Sequence, residues 1–140
     1  MPDRRAYTQP QQGQQGFAAT MKRYGCSAIA LATTDLTLNA TVGLFKVPVG
    51  FVLTSLSVTV TDMDTNVSPA LVFAIGDSVD DDRFVTGATT AQAGGTTTTL
   101  AAAGIRYAFT AETEIVFKAT TAAATAAAGT ITVDFFGYIL

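Results

Sequence analysis

The feature that most constrains this chain is a period of two in its apolar residues, which recurs along the sequence with no amphipathic helical stretch between. It is clearest at 52–61. There Val52, Thr54, Leu56, Val58 and Val60 fall on one face, and Ser55, Ser57, Thr59 and Thr61 on the other. β-branched residues crowd both faces, which suits a pleated strand better than a helix. Upstream, Ile29 and Leu31 alternate with Ala28 and Ala30. Leu36, Leu38, Ala40, Val42 and Leu44 then alternate with Thr37, Asn39 and Thr41. Pro48 and Gly50 end that run and predict a turn over 47–50.

The same pattern continues downstream. Leu71, Phe73 and Ile75 alternate with Ala70, Val72 and Ala74, so both faces are apolar and a central strand is predicted. Pro69 can open that strand but not continue it. A short strand is expected over 83–87, a small-residue loop over 88–103, and strands through Ile105, Tyr107 and Phe109 and through Ile115, Phe117 and Ala119. The alanine-rich run 120–128 is too short for a stable helix in water and predicts a connection instead. In the last strand Ile131, Val133, Phe135, Gly137 and Ile139 face one way. Seven or eight closely spaced strands predict an all-β, antiparallel β-sandwich or jelly roll. The expected organisation is an extended polar N-terminal arm over 1–25 and one sandwich domain over 26–140.

Composition narrows the chemistry. The chain has no histidine, no tryptophan and one cysteine. Ser-His and Cys-His catalysis and histidine-based zinc sites are therefore excluded, and no enzyme activity is expected. Charged residues make up 14%, against about 25% in an average soluble protein. Their place is taken by 24 threonines and 24 alanines. A weakly charged, small-residue surface is poorly protected against association, so a homo-oligomer is expected. Cys26 can form no intrachain disulfide, which suits a buried small hydrophobe and assembly in a reducing cytoplasm.

Charge is unevenly placed. Residues 1–25 carry Arg4, Arg5, Lys22 and Arg23 against Asp3, a balance of +3, while 26–140 carry −6. Four dispersed cations make no nucleic-acid patch, and the acidic body would repel phosphate. The first sixteen residues are polar throughout, so no secretory leader is expected, and no apolar run is long enough to span a membrane. Tyr7 and Phe17 are the aromatic residues of the Gln- and Gly-rich stretch 1–20, and each is either a chance exposure or an anchor that docks on a neighbour.

Three places could carry a site. In the run 76–84, Asp77, Asp80, Asp81 and Asp82 could offer oxygens to a calcium ion, although their spacing is not that of an EF-hand loop. The alternative is a solvated turn in which Asp77 accepts from nearby amides and Arg83 pairs with one acid. Phe136, Tyr138 and Leu140 share the face of the last strand opposite the core, which predicts a subunit interface. Asp80–Asp82 with Glu112 and Glu114 are the acid clusters a hydrolase would need, but they lack any aromatic substrate platform. Ala93-Gly94-Gly95-Thr96 lacks the lysine of a phosphate loop.

Three stretches give the chain a family texture: Phe73-Ala74-Ile75-Gly76-Asp77-Ser78 running to Asp82-Arg83-Phe84, the Ala/Gly/Thr-rich loop before Gly104-Ile105-Arg106-Tyr107, and the closing run from Ala126 to Ile139. Over 36–140 the chain resembles the small β-structured cement or decoration proteins of tailed bacteriophages. The resemblance implies a jelly-roll or related fold, a dimer or trimer, and attachment to the major capsid protein on the capsid outer surface after assembly in the host cytoplasm. It implies no cofactor and no nucleic-acid or membrane partner. On that reading Arg4, Arg5, Tyr7, Phe17, Lys22 and Arg23 contact the shell. Other virion parts (a head-fibre base, tail spike or tail-tube module) and a carbohydrate-binding sandwich are the alternatives.

Overall fold

The computed structural model describes residues 21–140. Its strands are β1 (Met21–Leu31), β2 (Thr41–Val47), β3 (Phe51–Val60), β4 (Val72–Gly76), β5 (Val85–Ala88), β6 (Gly95–Thr97), β7 (Thr113–Thr121) and β8 (Gly129–Ile139). They form two antiparallel four-stranded sheets, ordered β1-β8-β3-β6 and β2-β7-β4-β5. The pairing is nested: β1 with β8, β2 with β7, β3 with β6 and β4 with β5. A long hairpin rolled over on itself pairs its strands this way, which is jelly-roll connectivity. The all-β sandwich expected from the period-two pattern is the fold found.

The core is aromatic. Phe51, Phe73, Phe84, Phe109, Phe117 and Phe135 are fully buried, and each such burial stabilises by roughly 1.5–3 kcal/mol. Phe45 of β2 meets Phe135 of β8 edge-on at 5.2 Å, bridging the two sheets. Phe84 stacks on Phe109 and meets Phe135 edge-on, so a loop residue joins the same cluster. Among the described residues no helix is long and apolar enough to cross a membrane.

The register departs from strict alternation at bulges. In β3 the pairing with β8 slips between Leu53 and Ser55. Phe51, Leu53, Leu56, Val58 and Val60 are buried and Thr54 is exposed, which corrects the expectation that Thr54 shares the core face. In β1 a slip between Cys26 and Ile29 places Ala28 at φ 50°, where its N–H donates to Thr132 Oγ1 at 2.9 Å. Burial pushes the Cys26 thiol above its ordinary pKa, so it is a packing residue.

Other expectations need correcting. Leu36–Leu44 is not one strand. Thr33–Leu36 is a single 3-10 turn, held by the Asp35 carboxylate accepting from the Ala32 N–H at 2.8 Å. Asn39 then adopts φ 65°, which asparagine tolerates, and β2 starts only at Thr41. Leu36 remains buried while Leu38 is 61% exposed. The stretch through Ile105, Tyr107 and Phe109 is broken by Arg106 at φ 55°. Its second half nonetheless pairs with the start of β3, the Leu53 N–H donating to Tyr107 O and the Phe109 N–H to Phe51 O. The loop expected over 88–103 contains β6. Met21–Gly25, grouped with the arm by composition, are the first five residues of β1 and pair with Tyr138–Asp134.

The strand directions give the sandwich two unlike ends. At one end lie Met21, the Pro48–Gly50 turn, the turn 77–84, the segment 105–112 and Leu140. At the other lie the connections 32–40, 61–71, 89–94 and 122–128.

Candidate functional site

The second of these ends is tied shut by one residue. Asp64 is 1% exposed. Its Oδ2 accepts from the N–H groups of Ala70, Leu71 and Ala124 at 2.7, 3.0 and 2.9 Å, and its Oδ1 from Asn66 and Thr125 at 3.3 and 2.9 Å. Burial alone would raise its pKa, but these amides hold the carboxyl well below the ordinary range. The cradle is filled by the chain's own backbone, so Asp64 ties the 61–71 and 122–128 connections together.

The first end is different. Among the described residues the large exposed apolar side chains are Met21, Leu38, Val49, Val67, Val79, Ile105 and Leu140, and all but Leu38 and Val67 lie here. Met21 pairs across to Tyr138 on the outer face of the β1-β8-β3-β6 sheet. The Leu140 N–H donates to Gly50 O at 3.0 Å, which brings Leu140 beside the turn that carries Val49. All three therefore lie on the rim of this end, where β1 begins.

Beside the rim, the acidic turn folds over the outer face of the other sheet. It packs so closely on Gly76 that a Cβ there would collide with Asp80 O and Asp81 C. Asp77, 6% exposed, accepts from the N–H groups of Val79 and Asp80, both at 2.9 Å, and from Arg83 Nε at 2.7 Å. Burial would raise the Asp77 pKa, but the Asp80 amide and the guanidinium more than offset it, and the carboxyl lies below its usual range. The same guanidinium lies 4.4 Å over the Tyr107 ring, a cation–π contact that anchors the 105–112 segment to the turn. Lys118 Nζ reaches Asp81 Oδ2 at 2.6 Å and holds the turn to β7.

The candidate metal ligands are thus drawn into protein contacts. Asp77 serves Arg83, Asp81 serves Lys118, and Asp82 accepts from the Thr86 hydroxyl at 3.1 Å. Asp80, Asp81 and Asp82 do bring carboxylate oxygens within 4.8 Å of one another. The Asp80 carboxyl is pushed up chiefly because, when protonated, it can donate a side-chain hydrogen bond to the Asp82 carboxylate. The turn contains the Asp77 amide contacts and the Arg83 pairing named in the sequence reading.

Of the arm residues, Arg4, Arg5, Tyr7 and Phe17 lie outside the described residues. Lys22 and Arg23 lie on β1, both exposed, and Arg23 forms an ion pair with Asp134 of β8. Phe136 and Tyr138 are half-buried on the outer sheet face, and Leu140 is 83% exposed. Sequence reasoning missed Asp64, the rim formed with Met21 and Val49, and the Tyr107 platform. Only the last left a signal, an aromatic two residues beyond Ile105.

No family model matches the sequence, and no curated protein matches it. Two solved structures share the fold. A chain of the Cyanophage Pam1 capsid asymmetric unit aligns at a TM-score of 0.73 and 22% identity, covering 86% of this chain and 85% of that one. A chain of the capsid of Ralstonia phage GP4 aligns at 0.64 and 19%, covering 85% and 82%. This fold occurs in two phage capsids. At such identities the likeness is one of fold, and it spans most of each chain, so the matched capsid chains are of about this chain's length.

Proposed function

We propose that this protein is a virion structural component that binds the outside of a phage capsid and cements neighbouring capsid subunits. The observation that carries the proposal is the fold shared, over 86% of the chain, with a component of similar size in a phage capsid unit. The surface agrees with it. Exposed apolar residues gather at the end where the basic leader joins, while the opposite end is closed by Asp64. Of two surface hollows, one is lined by small residues and threonines of 85–101 and the other by the Asp77–Arg83 pair with Tyr107 and the segment 110–116. The chemistry offered is adhesion, with no enzymatic step.

In this reading the sandwich self-associates through Phe136, Tyr138 and Leu140 as a dimer or trimer, and residues 1–20 reach an adjacent subunit of the major capsid protein. Arg4, Arg5, Tyr7 and Phe17 are the contacting groups, helped by Lys22 and by Arg23 from the strand. Each contact is weak, but tethering makes later contacts intramolecular and raises avidity by about 10²–10⁴. Deleting residues 1–20 should leave a folded sandwich that no longer decorates particles. Unchanged occupancy on capsids by the truncated form would refute the arm mechanism. Quantitative mass spectrometry of purified virions tests location: hundreds of copies per particle are expected, and a handful would point to a tail or fibre part instead.

A further inference from the structure

We propose that the hollow between the acidic turn 77–84 and the segment 105–116 binds a neutral, hydroxyl-rich ligand, the terminal sugar of a glycan. The inference goes beyond the capsid reading and stands without it.

The hollow has a volume of about 340 Å³, and its lining includes Asp77 and Arg83 of the turn, Tyr107, Thr110, Glu112 and Glu114. That volume lies at the low end for small-molecule sites. One wall is fixed by the fold. The Arg83 side chain is 17% exposed, its Nε donates to Asp77 Oδ2 at 2.7 Å, and its guanidinium lies 4.4 Å from the Tyr107 ring centroid. Tyr107 is in turn held edge-on by Phe84 and Phe109. The guanidinium is therefore clamped before any ligand arrives, yet among the described residues neither Nη meets a hydrogen-bond acceptor. Its four remaining N–H donors are unspent.

The other wall offers acceptors. Among the described residues Glu112 has only a loose pair with Lys46 at 4.0 Å, and Glu114 has no ion pair. The two walls together select the ligand. An anion that meets the Nη donors faces Glu112 and Glu114, and a cation drawn to those carboxylates faces Arg83. A hydroxyl serves both, because it accepts from a guanidinium and donates to a carboxylate. Adjacent hydroxyls on a pyranose ring repeat that pairing. Asp77 already neutralises Arg83, so the lining carries an excess of negative charge that repels phosphates and acidic sugars. The Tyr107 ring serves to fix the guanidinium and not as a stacking platform, so the site needs no tryptophan. The threonine-lined hollow at 85–101 has hydroxyls but no charged group to orient a ligand.

Saturation-transfer NMR on the full-length protein tests this with methyl α-glucoside, methyl α-mannoside and methyl β-galactoside at millimolar concentration. Transfer to at least one of them is expected, with amide shifts confined to Tyr107 and 110–114. A neutral ligand should bind nearly as well in high salt as in low. Glu112→Ala and Glu114→Ala should each weaken binding several-fold. Both side chains are exposed, so the sheet signal in circular dichroism should be unchanged. No transfer to any of the three glycosides, shifts that fall elsewhere, or binding that both glutamate variants leave intact would overturn the proposal. Acetate, methylammonium and acetamide probe for an anion, a cation and an amide. Tighter binding of one of these in the hollow than of every glycoside would also overturn it. None of these results depends on whether the protein decorates a capsid.

Discussion

At Asp64 five backbone N–H groups converge on two carboxylate oxygens, and four of the donors come from residues that the chain reaches only after six or more further positions. Removing the acceptor leaves buried donors unpaired, at roughly 1–3 kcal/mol for each that cannot find water. Asp64→Ala should therefore cost at least about 3 kcal/mol in urea unfolding, and Asp64→Asn, which keeps one acceptor oxygen, should cost less. The pH dependence has a definite sign. The folded pKa is depressed, so the stabilisation is complete above the ordinary carboxylate value near 4 and is lost as pH falls from there toward the folded value. Asp77, also depressed, acts in the same direction. The wild-type melting temperature should fall as pH drops below about 4, and Asp64→Asn should show a shallower fall. An identical acid slope in the variant would place the carboxyl's partners elsewhere. Nothing in the sequence separates Asp64 from Asp62, because both sit in one polar stretch and the distinguishing donors, Ala124 and Thr125, arrive about sixty residues later. The Asp77–Arg83 pair was legible because its partners lie six residues apart in one turn.

Among the strands, alternation located β3, β4, β7 and β8 but not the bulges, since a bulge changes which residue faces the core without changing composition. In β3 the slip between Leu53 and Ser55 buries Leu53 and turns Thr54 outward, where its hydroxyl donates to Phe136 O at 2.9 Å. A matched pair of variants tests that register. Leu53→Ala should cost about 2–5 kcal/mol, and Thr54→Ala about 1 kcal/mol or less, both read from urea midpoints. The reverse order would restore the strict alternation of the sequence pattern. β6 was hidden for another reason. Gly95-Thr96-Thr97 has no apolar residue to alternate, and it is a strand because it pairs antiparallel with Val58–Val60 of β3, where Thr59 and Thr96 also meet hydroxyl to hydroxyl at 3.0 Å. Conversely, Ile105, Tyr107 and Phe109 alternate without forming a named strand, because Arg106 takes a left-handed turn to bring its neighbours over the acidic loop.

For the whole molecule, period two was enough to give the sandwich, but the contrast between its ends required the order of the strands. Only when β1 and β8 are paired, and β2 turns into β3, do Met21, Val49 and Leu140 come to lie on the rim of one end. The outer face above that rim is where self-association belongs in the proposed function. Phe136 lies there between Arg23 of β1 and Ser55 of β3, half-buried and on the face opposite the Phe135 cluster. A carboxylate introduced at this position can stay hydrated and lies beside a guanidinium. Phe136→Asp should therefore keep its sheet signal and a cooperative unfolding transition while light scattering reports a smaller particle than wild type at the same concentration. An unfolded variant would put Phe136 in the core. A folded variant with undiminished mass would move the contact between copies away from this face, and the edge of β1, which among the described residues pairs only with β8, would become the next surface to block.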